Sequence, residues 1–221
     1  MKLLLTANGL SNQTIANVLF DLVGKPADQI HISFIPTAVN VDYGNKYWFI
    51  NDLDNLRKQN FKFIDIVDIS ALPKEVWLPR LEAADVIMVG GGNTYHLMYW
   101  MKESGLDALL RGLLETRVYA GISAGSIITN PKIALTRDDK RIYYEENFNY
   151  ASDEAMGLVD FYIRPHYNSP DFPHTKKEFL EKVAKDVPGV IYALDNNSAL
   201  SWIDGKIEII NTKSIKALFS F

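Results

Sequence analysis

The stretch with the clearest chemical potential is VYAGISAGSIITN, residues 118–130, in which Ser123 stands between Gly121 and Gly125. It begins as a buried strand would and continues as a helix could, which predicts a sharp strand-to-helix turn at Ser123. Small flanking residues permit the strained backbone of such a turn, which lifts the hydroxyl above the sheet. The pattern indicates either a nucleophilic serine or a Gly/Ser turn that is small only for packing.

A second glycine-rich stretch, VGGGNTYHL at 89–97, follows an apolar segment. Ligands of open α/β sheets bind at the carboxyl ends of the strands, where glycines allow a close approach of the backbone. Gly90, Gly91 and Gly92 are therefore candidates for a phosphate cradle or for half of an oxyanion hole. The stretch matches neither a P-loop nor a G-x-G-x-x-G fingerprint. Asn93 is a candidate ligand-binding residue or simply a helix N-cap.

Of the four histidines, His166 is the candidate general base. It follows an apolar, strand-like run and would reach the same crevice as Ser123. His31 at a strand start and His96 in an apolar helix are expected to be structural. His174 lies in a proline-rich loop and is expected to be solvated.

The elements that must position these residues alternate between short apolar strands and helices, which predicts a mainly parallel sheet covered by helices on both faces. Up to the Ser123 turn, we expect strands at 2–7, 31–38, 62–69 and 85–92, and helices at 11–24, 42–59 and 75–84, followed by two helices separated at Gly105. The last third is rich in β-formers, which predicts extra strands that extend the sheet or form an edge hairpin. These segments are 132–137, 141–146, 158–166, 190–195, 199–204, 206–210 and 216–221, with one helix at 175–186.

Composition narrows the function classes. The 221 residues suit one domain, 1–221, and the sequence contains no cysteine, which removes thiolate zinc sites and a cysteine nucleophile. The net charge of −4 argues against nucleic-acid binding, and no segment is long and apolar enough to span a membrane. We expect a cytoplasmic monomer or homodimer that needs no metal or cofactor.

Together these motifs resemble the serine peptidase family of aspartyl dipeptidase (dipeptidase E) and cyanophycinase. The resemblance rests on GGGNT with a following aromatic residue and Leu (90–97), on G-x-S-A-G (121–125), and on Pro-His (165–166). It implies a flavodoxin-like, doubly wound α/β fold related to the class I glutamine amidotransferases, with serine where those enzymes have cysteine. It also implies hydrolysis of small peptides.

Carried over by position, the resemblance makes Ser123 the nucleophile, His166 its base, and the N–H groups of Gly92 and Ala124 the oxyanion hole. The third triad member stays open. The family's usual Glu falls at Asn196 in LDNNSAL (194–200), with Asp195 beside it, while Asp138 matches an acidic position after the serine. An Asn would orient the imidazole without supplying charge.

The substrate pocket also departs from the family pattern. Where an arginine would bind the substrate's aspartate, the loop and helix after His166 offer Lys176 and Lys177, and the only nearby arginine is Arg164. A lysine lacks the bidentate fork that suits a carboxylate. We therefore expect specificity for aspartate to be lost or changed. A catalytically idle binding protein and an esterase are the alternatives to a peptidase.

Overall fold

The computed structural model describes residues 1–133, 138–210 and 215–219, with the backbone alone for 138–140, 183, 186 and 215–219. In these residues the strands are β1 (Lys2–Thr6), β2 (His31–Ile35), β3 (Phe63–Ile66), β4 (Val86–Val89), β5 (Val118–Ile122), β6 (Tyr162–Pro165), β7 (Val190–Leu194), β8 (Ala199–Ile203), β9 (Lys206–Ile210) and β10 (Ile215–Phe219). The helices are α1 (Gln13–Val23), α2 (Tyr47–Lys58), α3 (Lys74–Ala83), α4 (Thr94–Glu103), α5 (Leu106–Leu113), α6 (Ala124–Ile127), α7 (Asp138–Phe148) and α8 (Lys177–Val183).

The main sheet has seven strands in the order β3-β2-β4-β5-β1-β8-β9. The five strands from β3 to β1 are parallel, because each is joined to the next by a helical crossover. Their carboxyl ends therefore lie at one edge of the sheet. Ser123 follows β5 and the three glycines follow β4 at this edge, which is where the sequence predicted the crevice.

Helices cover both faces of this sheet. Leu3 and Leu5 of β1 belong to the hydrophobic core on one face, with side chains of α3, α4, α5 and α6. Leu4 belongs to the opposite core, with side chains of α1 and α2. Alternation along a strand sends successive side chains to opposite faces, so a continuous apolar run such as LLL serves both cores.

Local signals explain several helix ends. The Asn12 side chain accepts a hydrogen bond from the Ile15 N–H at 3.1 Å at the start of α1, and Gly24 ends that helix in the left-handed conformation with φ of 76°. Gly105 separates α4 from α5 with φ of 75°, as the sequence predicted.

The last third of the chain forms two separate additions. Strand β8 pairs antiparallel with β1 and with β9, so the β8–β9 hairpin extends the main sheet. Strands β10, β7 and β6 form a second, three-stranded sheet in which β6 and β7 are parallel. The β8–β9 hairpin agrees with the expectation of extra strands that extend the sheet or form an edge hairpin, whereas the separate three-stranded sheet was not predicted.

One prediction in this region is wrong. Residues 141–146 lie in α7 rather than in a strand. Tyr144 is fully buried and its ring stacks on Phe148 with centroids 4.6 Å apart, four positions along the helix. Aromatic residues favour strands only where a pleated surface receives them, and here a helical face does.

Other boundaries differ from the predictions by a few residues. The predicted helix 42–59 begins only at Tyr47, since residues 42–46 form a loop over the sheet edge. The predicted helix 175–186 is α8 flanked by short 3-10 turns at Pro173–Thr175 and Ala184–Asp186. Most of the predicted strand 132–137, and the last two residues of 216–221, lie outside the described residues. Within the described part of the chain, the helices are too short or too polar to cross a bilayer.

Candidate active site

Ser123 lies at a strained turn between β5 and α6. Its φ of 50° and ψ of −107° are unusual for a residue with a side chain. Backbone in such a region costs on the order of 1–3 kcal/mol and persists only where neighbours hold it. Here the Ser123 N–H donates to the Thr6 carbonyl oxygen at 3.0 Å, and the Ser126 hydroxyl donates to the same oxygen at 2.8 Å. Strand β1 thus fixes both sides of the turn.

The glycines of this turn are required by close backbone contacts. A Cβ on Gly125 would lie 2.1 Å from the Val89 carbonyl oxygen, and one on Gly121 would lie 2.8 Å from Gly125. Gly92 has φ of 130°, and a Cβ there would lie 2.0 Å from the Ala38 carbonyl oxygen. Each of these distances is shorter than a van der Waals contact, so the turn and the β4 loop can pack only without side chains.

His166 follows β6, on the smaller sheet, with φ of 65°. The Tyr167 N–H donates to the Leu194 carbonyl oxygen at 2.9 Å, which ties this turn to the end of β7. The imidazole stacks on the Phe172 ring, with centroids 4.2 Å apart and planes 5° from parallel. These contacts hold the imidazole plane while leaving both ring nitrogens to hydrogen-bond.

The structure brings Ser123, His166 and Asn196 into one hydrogen-bonded chain. The Nε2 atom of His166 lies 2.9 Å from the Ser123 Oγ, and the Nδ1 atom lies 2.8 Å from the Asn196 Oδ1. An amide oxygen only accepts, so the proton is on Nδ1 and the Nε2 lone pair accepts the serine O–H. The Asn196 backbone carbonyl accepts from the Ser11 hydroxyl at 2.8 Å, which anchors this residue.

Burial controls the electrostatics of the imidazole. Desolvation lowers the pKa of His166 below its usual value, the nearby Arg164 lowers it further, and the hydrogen bond to Asn196 and the charge of Asp171 partly oppose this. Arg164 is itself buried, which lowers the pKa of its guanidinium to about 10. His166 is therefore neutral, and able to accept a proton, at neutral pH.

Ser123 and His166 open into a cavity of about 420 Å³ at the carboxyl edge of the main sheet. Gly91 and Gly92 also line the cavity, and a Cβ on Gly91 would lie 3.2 Å from the Ser123 Cβ. Ala124 is the first residue of α6, so its N–H has no acceptor within that helix. A cavity of this volume accommodates a small molecule such as a short peptide.

The other predicted site residues lie elsewhere. The Asn93 Oδ1 accepts from the N–H groups of Tyr95 and His96 at 3.0 and 3.1 Å, so Asn93 is the N-cap of α4 and 1 % exposed. The Asp195 carboxylate accepts from the Asn197 N–H at 2.9 Å and the Ser198 hydroxyl at 2.7 Å, within its own turn. Lys176 is exposed at the start of α8 and is not among the cavity-lining residues. Asp138 begins α7, and its side chain is outside the described residues.

Among the cavity-lining residues that sequence reasoning did not single out, two bear on the chemistry. One is Phe172, which supports the imidazole as described above. The other is Asp52, a buried carboxyl on α2. Its sequence signal was its spacing, because Asp52 falls on the same helical stripe as the inward-facing Phe49 and Leu56.

A doubly wound sheet that carries a hydroxyl–imidazole–amide chain at the carboxyl ends of its strands is the arrangement of a hydrolytic α/β enzyme. The chain belongs to peptidase family S51, whose model matches residues 3–210. It is a peptidase, and the predicted family is confirmed.

Individual relatives agree with this assignment. An uncharacterised peptidase of Listeria monocytogenes is 31 % identical over 187 residues, covering 82 % of this chain and 85 % of that protein. Peptidase E of Streptomyces coelicolor is 37 % identical over 121 residues, covering 50 % of this chain and 46 % of that protein. The crystal structure of a Listeria monocytogenes protein assigned as peptidase E matches with a TM-score of 0.74 and 26 % identity, covering 99 % of this chain and 98 % of that one. This likeness confirms the predicted flavodoxin-like fold.

Proposed function

We propose that the protein is a serine peptidase that hydrolyses small peptides with Ser123 as nucleophile and His166 as general base. The observation that carries the proposal is the pair of hydrogen bonds of His166, 2.9 Å to the Ser123 Oγ and 2.8 Å to the Asn196 Oδ1. A serine hydroxyl is a weak nucleophile until a neighbouring base takes its proton.

The reaction follows from this geometry. The Ser123 Oγ attacks the peptide carbonyl carbon while its proton passes to His166 Nε2. The N–H groups of Gly92 and Ala124, beside the serine, stabilise the oxyanion. The imidazolium then gives the proton to the leaving amine, which departs and leaves an acyl-enzyme. Water deprotonated by His166 attacks the ester, and collapse of the second intermediate restores the Ser123 hydroxyl.

The size of the cavity favours short peptides as substrates. Ser123 and His166 line a cavity of about 420 Å³, a volume typical of a small-molecule site. A cysteine-free composition is compatible with a reducing compartment, and we extend the proposal to action in the cytoplasm.

Turnover of a dipeptide panel tests the nucleophile. Ser123→Ala removes the attacking oxygen and should lower kcat about 10⁴-fold or more while leaving the fold intact. The matched control is Ser70→Ala, a serine whose hydroxyl donates to Asp68 and which does not line the cavity. An unchanged rate in Ser123→Ala would contradict the proposal.

A serine-directed fluorophosphonate probe separates the peptidase from a catalytically idle binding protein. Labelling of Ser123 that His166→Ala abolishes is the expected result, because the probe requires an activated hydroxyl. A folded protein that resists labelling would favour the idle protein instead. Activity on acyl esters without activity on peptides would identify an esterase.

A further inference from the structure

Asp52 occupies a position on α2 where an apolar residue would be expected. Phe49 and Leu56 lie three and four residues away on the same face and pack against the main sheet. Asp52 shares this face and is only 5 % exposed. The ionised form of a buried carboxyl is unfavourable unless a partner offsets the lost hydration.

No such partner is found among the described residues. The Asp52 carboxyl makes no hydrogen bond or ion pair within the described part of the chain, and burial alone raises its pKa to about 7. By contrast, Asp54, two residues along the same helix, is paired with Arg57 at 2.7 Å and Lys58 at 2.6 Å. Packing of the core does not account for a buried carboxyl without a hydrogen-bond partner, which indicates a functional role for Asp52.

The carboxyl faces the cavity that holds the nucleophile. Asp52 lines the same cavity as Ser123. Its Oδ1 lies 3.5 Å from where a Gly9 side chain would begin, and Cδ1 of Ile122, the residue before Ser123, lies 3.0 Å from that same point. The Asp52 carboxyl therefore lies close to the Gly9 backbone and to Ile122, the residue that precedes the nucleophile.

The cavity as a whole is acidic. Besides Asp52, its described lining includes the carboxyls of Asp42 and Asp171, and the ammonium of Lys46. The Lys46 Nζ is already engaged, since it donates to the Asp42 carbonyl oxygen at 2.6 Å and lies 5.9 Å from the Trp48 ring centroid. No arginine stands among these lining residues to receive an acidic substrate. The buried Arg164 acts on the His166 end of the cavity, whereas no described cation acts on Asp52, so a cation is favoured at the Asp52 end.

We propose that Asp52 is an anionic subsite that binds a cationic group of the peptide substrate, so that peptides with an ammonium or guanidinium group beside the scissile bond are preferred over acidic ones. The inference rests on the proposed peptidase function and adds the substrate class. The cation supplies the partner that the carboxylate lacks in the folded chain. It comes either from the free amino terminus of the peptide or from a Lys or Arg side chain.

Binding of a cation is then coupled to ionisation of Asp52. A bound ammonium lowers the pKa of the carboxyl, so binding below pH 7 releases a proton and affinity rises as the pH increases through about 7. The other titratable groups that line the cavity are Asp42, Tyr43, Lys46, His166 and Asp171. Burial lowers the pKa of His166 below its usual value, whereas burial raises that of Asp52, so the Asp52 variants assign the pH dependence to one group or the other.

The test measures binding without turnover, by calorimetry with the Ser123→Ala protein. Four peptides vary the two cation sources independently: lysyl-alanine, norleucyl-alanine, and the N-acetylated form of each. Removing the recognised cation should weaken binding about tenfold or more at pH 8. Loss on acetylation identifies the amino terminus as the cation, and loss on replacement of lysine by norleucine identifies the side chain.

Substitutions of Asp52 in the Ser123→Ala protein test whether the preference for cationic peptides depends on this carboxyl. Asp52→Asn should abolish the charge discrimination and its dependence on pH, whereas a steric penalty from the acetyl group would persist. Asp52→Leu completes the apolar stripe, provides a second folded variant and should give the same result. The control Asp54→Asn removes an exposed carboxylate of the same helix and should retain the discrimination.

The proposal is overturned by equal affinity for all four peptides, by binding of none of them, or by discrimination that survives in both Asp52 variants. Failure of the peptidase function is recognised separately. In that case peptides bind with the expected charge preference, but the parent protein neither hydrolyses them nor reacts with the fluorophosphonate.

Discussion

Asn196 sets the tautomer of His166 but supplies no charge. Its Oδ1 accepts the Nδ1 proton at 2.8 Å, which leaves the Nε2 lone pair directed at Ser123. In the proposed reaction the imidazole becomes positive, and an amide stabilises that cation less than a carboxylate would. Asn196 therefore orients the imidazole of His166 but contributes little to stabilising its positive charge.

This difference predicts the outcome of Asn196→Asp. A carboxylate at this position raises the pKa of His166, so kcat at pH 8 should rise about tenfold or more. Because protonated His166 is inactive, the acid limb of the kcat profile should also move to higher pH. The pH profiles of both proteins measure the two effects together.

Asn197→Asp is the control, since it adds the same charge one residue along, at an exposed position. It should leave the profile nearly unchanged. A profile of Asn196→Asp that coincides with that of the parent would show that Asn196 does not act on the imidazole.

At the residue scale, the sequence predicted Ser123, His166 and the glycines of the β4 loop, because each stands in a short motif at a strand end. It left Asn196, Asp195 and Asp138 open, since the choice depends on which side chain reaches Nδ1 across a turn. Asp52 was not predicted as a site residue. One carboxyl among the polar residues of a helix is recognisable as buried only once the inward face of α2 is known.

At the scale of elements, the β5–α6 turn depends on two backbones in direct contact. Gly125→Ala places a methyl group 2.1 Å from the Val89 carbonyl oxygen, so β4 and α6 must separate. We expect a loss of roughly 3 kcal/mol in the free energy of unfolding, and a loss of turnover because Ser123 moves relative to His166. Urea denaturation and dipeptide turnover measure both.

Gly112→Ala is the matched control. Gly112 lies in α5, and a Cβ there meets no atom within 4 Å. Alanine is the better helix former, so this variant should gain about 0.5–1 kcal/mol and keep full activity. Equal effects of the two substitutions would mean that the contact with β4 does not govern the turn.

The helix α7 is the element whose type the sequence pattern predicted wrongly. Its sequence combines β-favouring aromatics with charged residues, and its stability comes from tertiary contacts. Tyr144 packs edge-on against His96 of α4, and the ring centroids of Tyr99 and Phe148 lie 5.7 Å apart. Local periodicity does not predict contacts between helices that are distant in sequence. The apolar composition of β1, β4 and β5, by contrast, is enough to predict buried strands.

At the scale of the whole molecule, Asp52 should make stability depend on pH. Its pKa is about 7 in the folded protein against 3.8 for the unperturbed group, so the folded state resists ionisation. Its destabilising effect is absent below about pH 4, grows as the pH rises, and is complete above about pH 7. Asp52→Leu should therefore be more stable than the parent by roughly 4 kcal/mol at pH 8.

Urea denaturation at pH 4.5 and pH 8 checks this expectation. The advantage of Asp52→Leu should be small at the lower pH and large at the higher one. An advantage that is the same at both pH values would reflect added apolar packing alone. Lower stability of the variant at pH 8 would mean that the Asp52 carboxylate is satisfied in the folded protein.

The two halves of the Ser123–His166 pair belong to different sheets. Ser123 follows β5 of the seven-stranded sheet, and His166 follows β6 of the three-stranded one. Asn196 lies in the connection from β7 to β8, which links the two sheets. The hydrogen bonds between Ser123, His166 and Asn196 therefore depend on the position of the smaller sheet relative to the larger. Any displacement of the smaller sheet relative to the larger would separate the hydroxyl from the imidazole, so turnover reports on the packing of the two sheets as well as on the chemistry of the site.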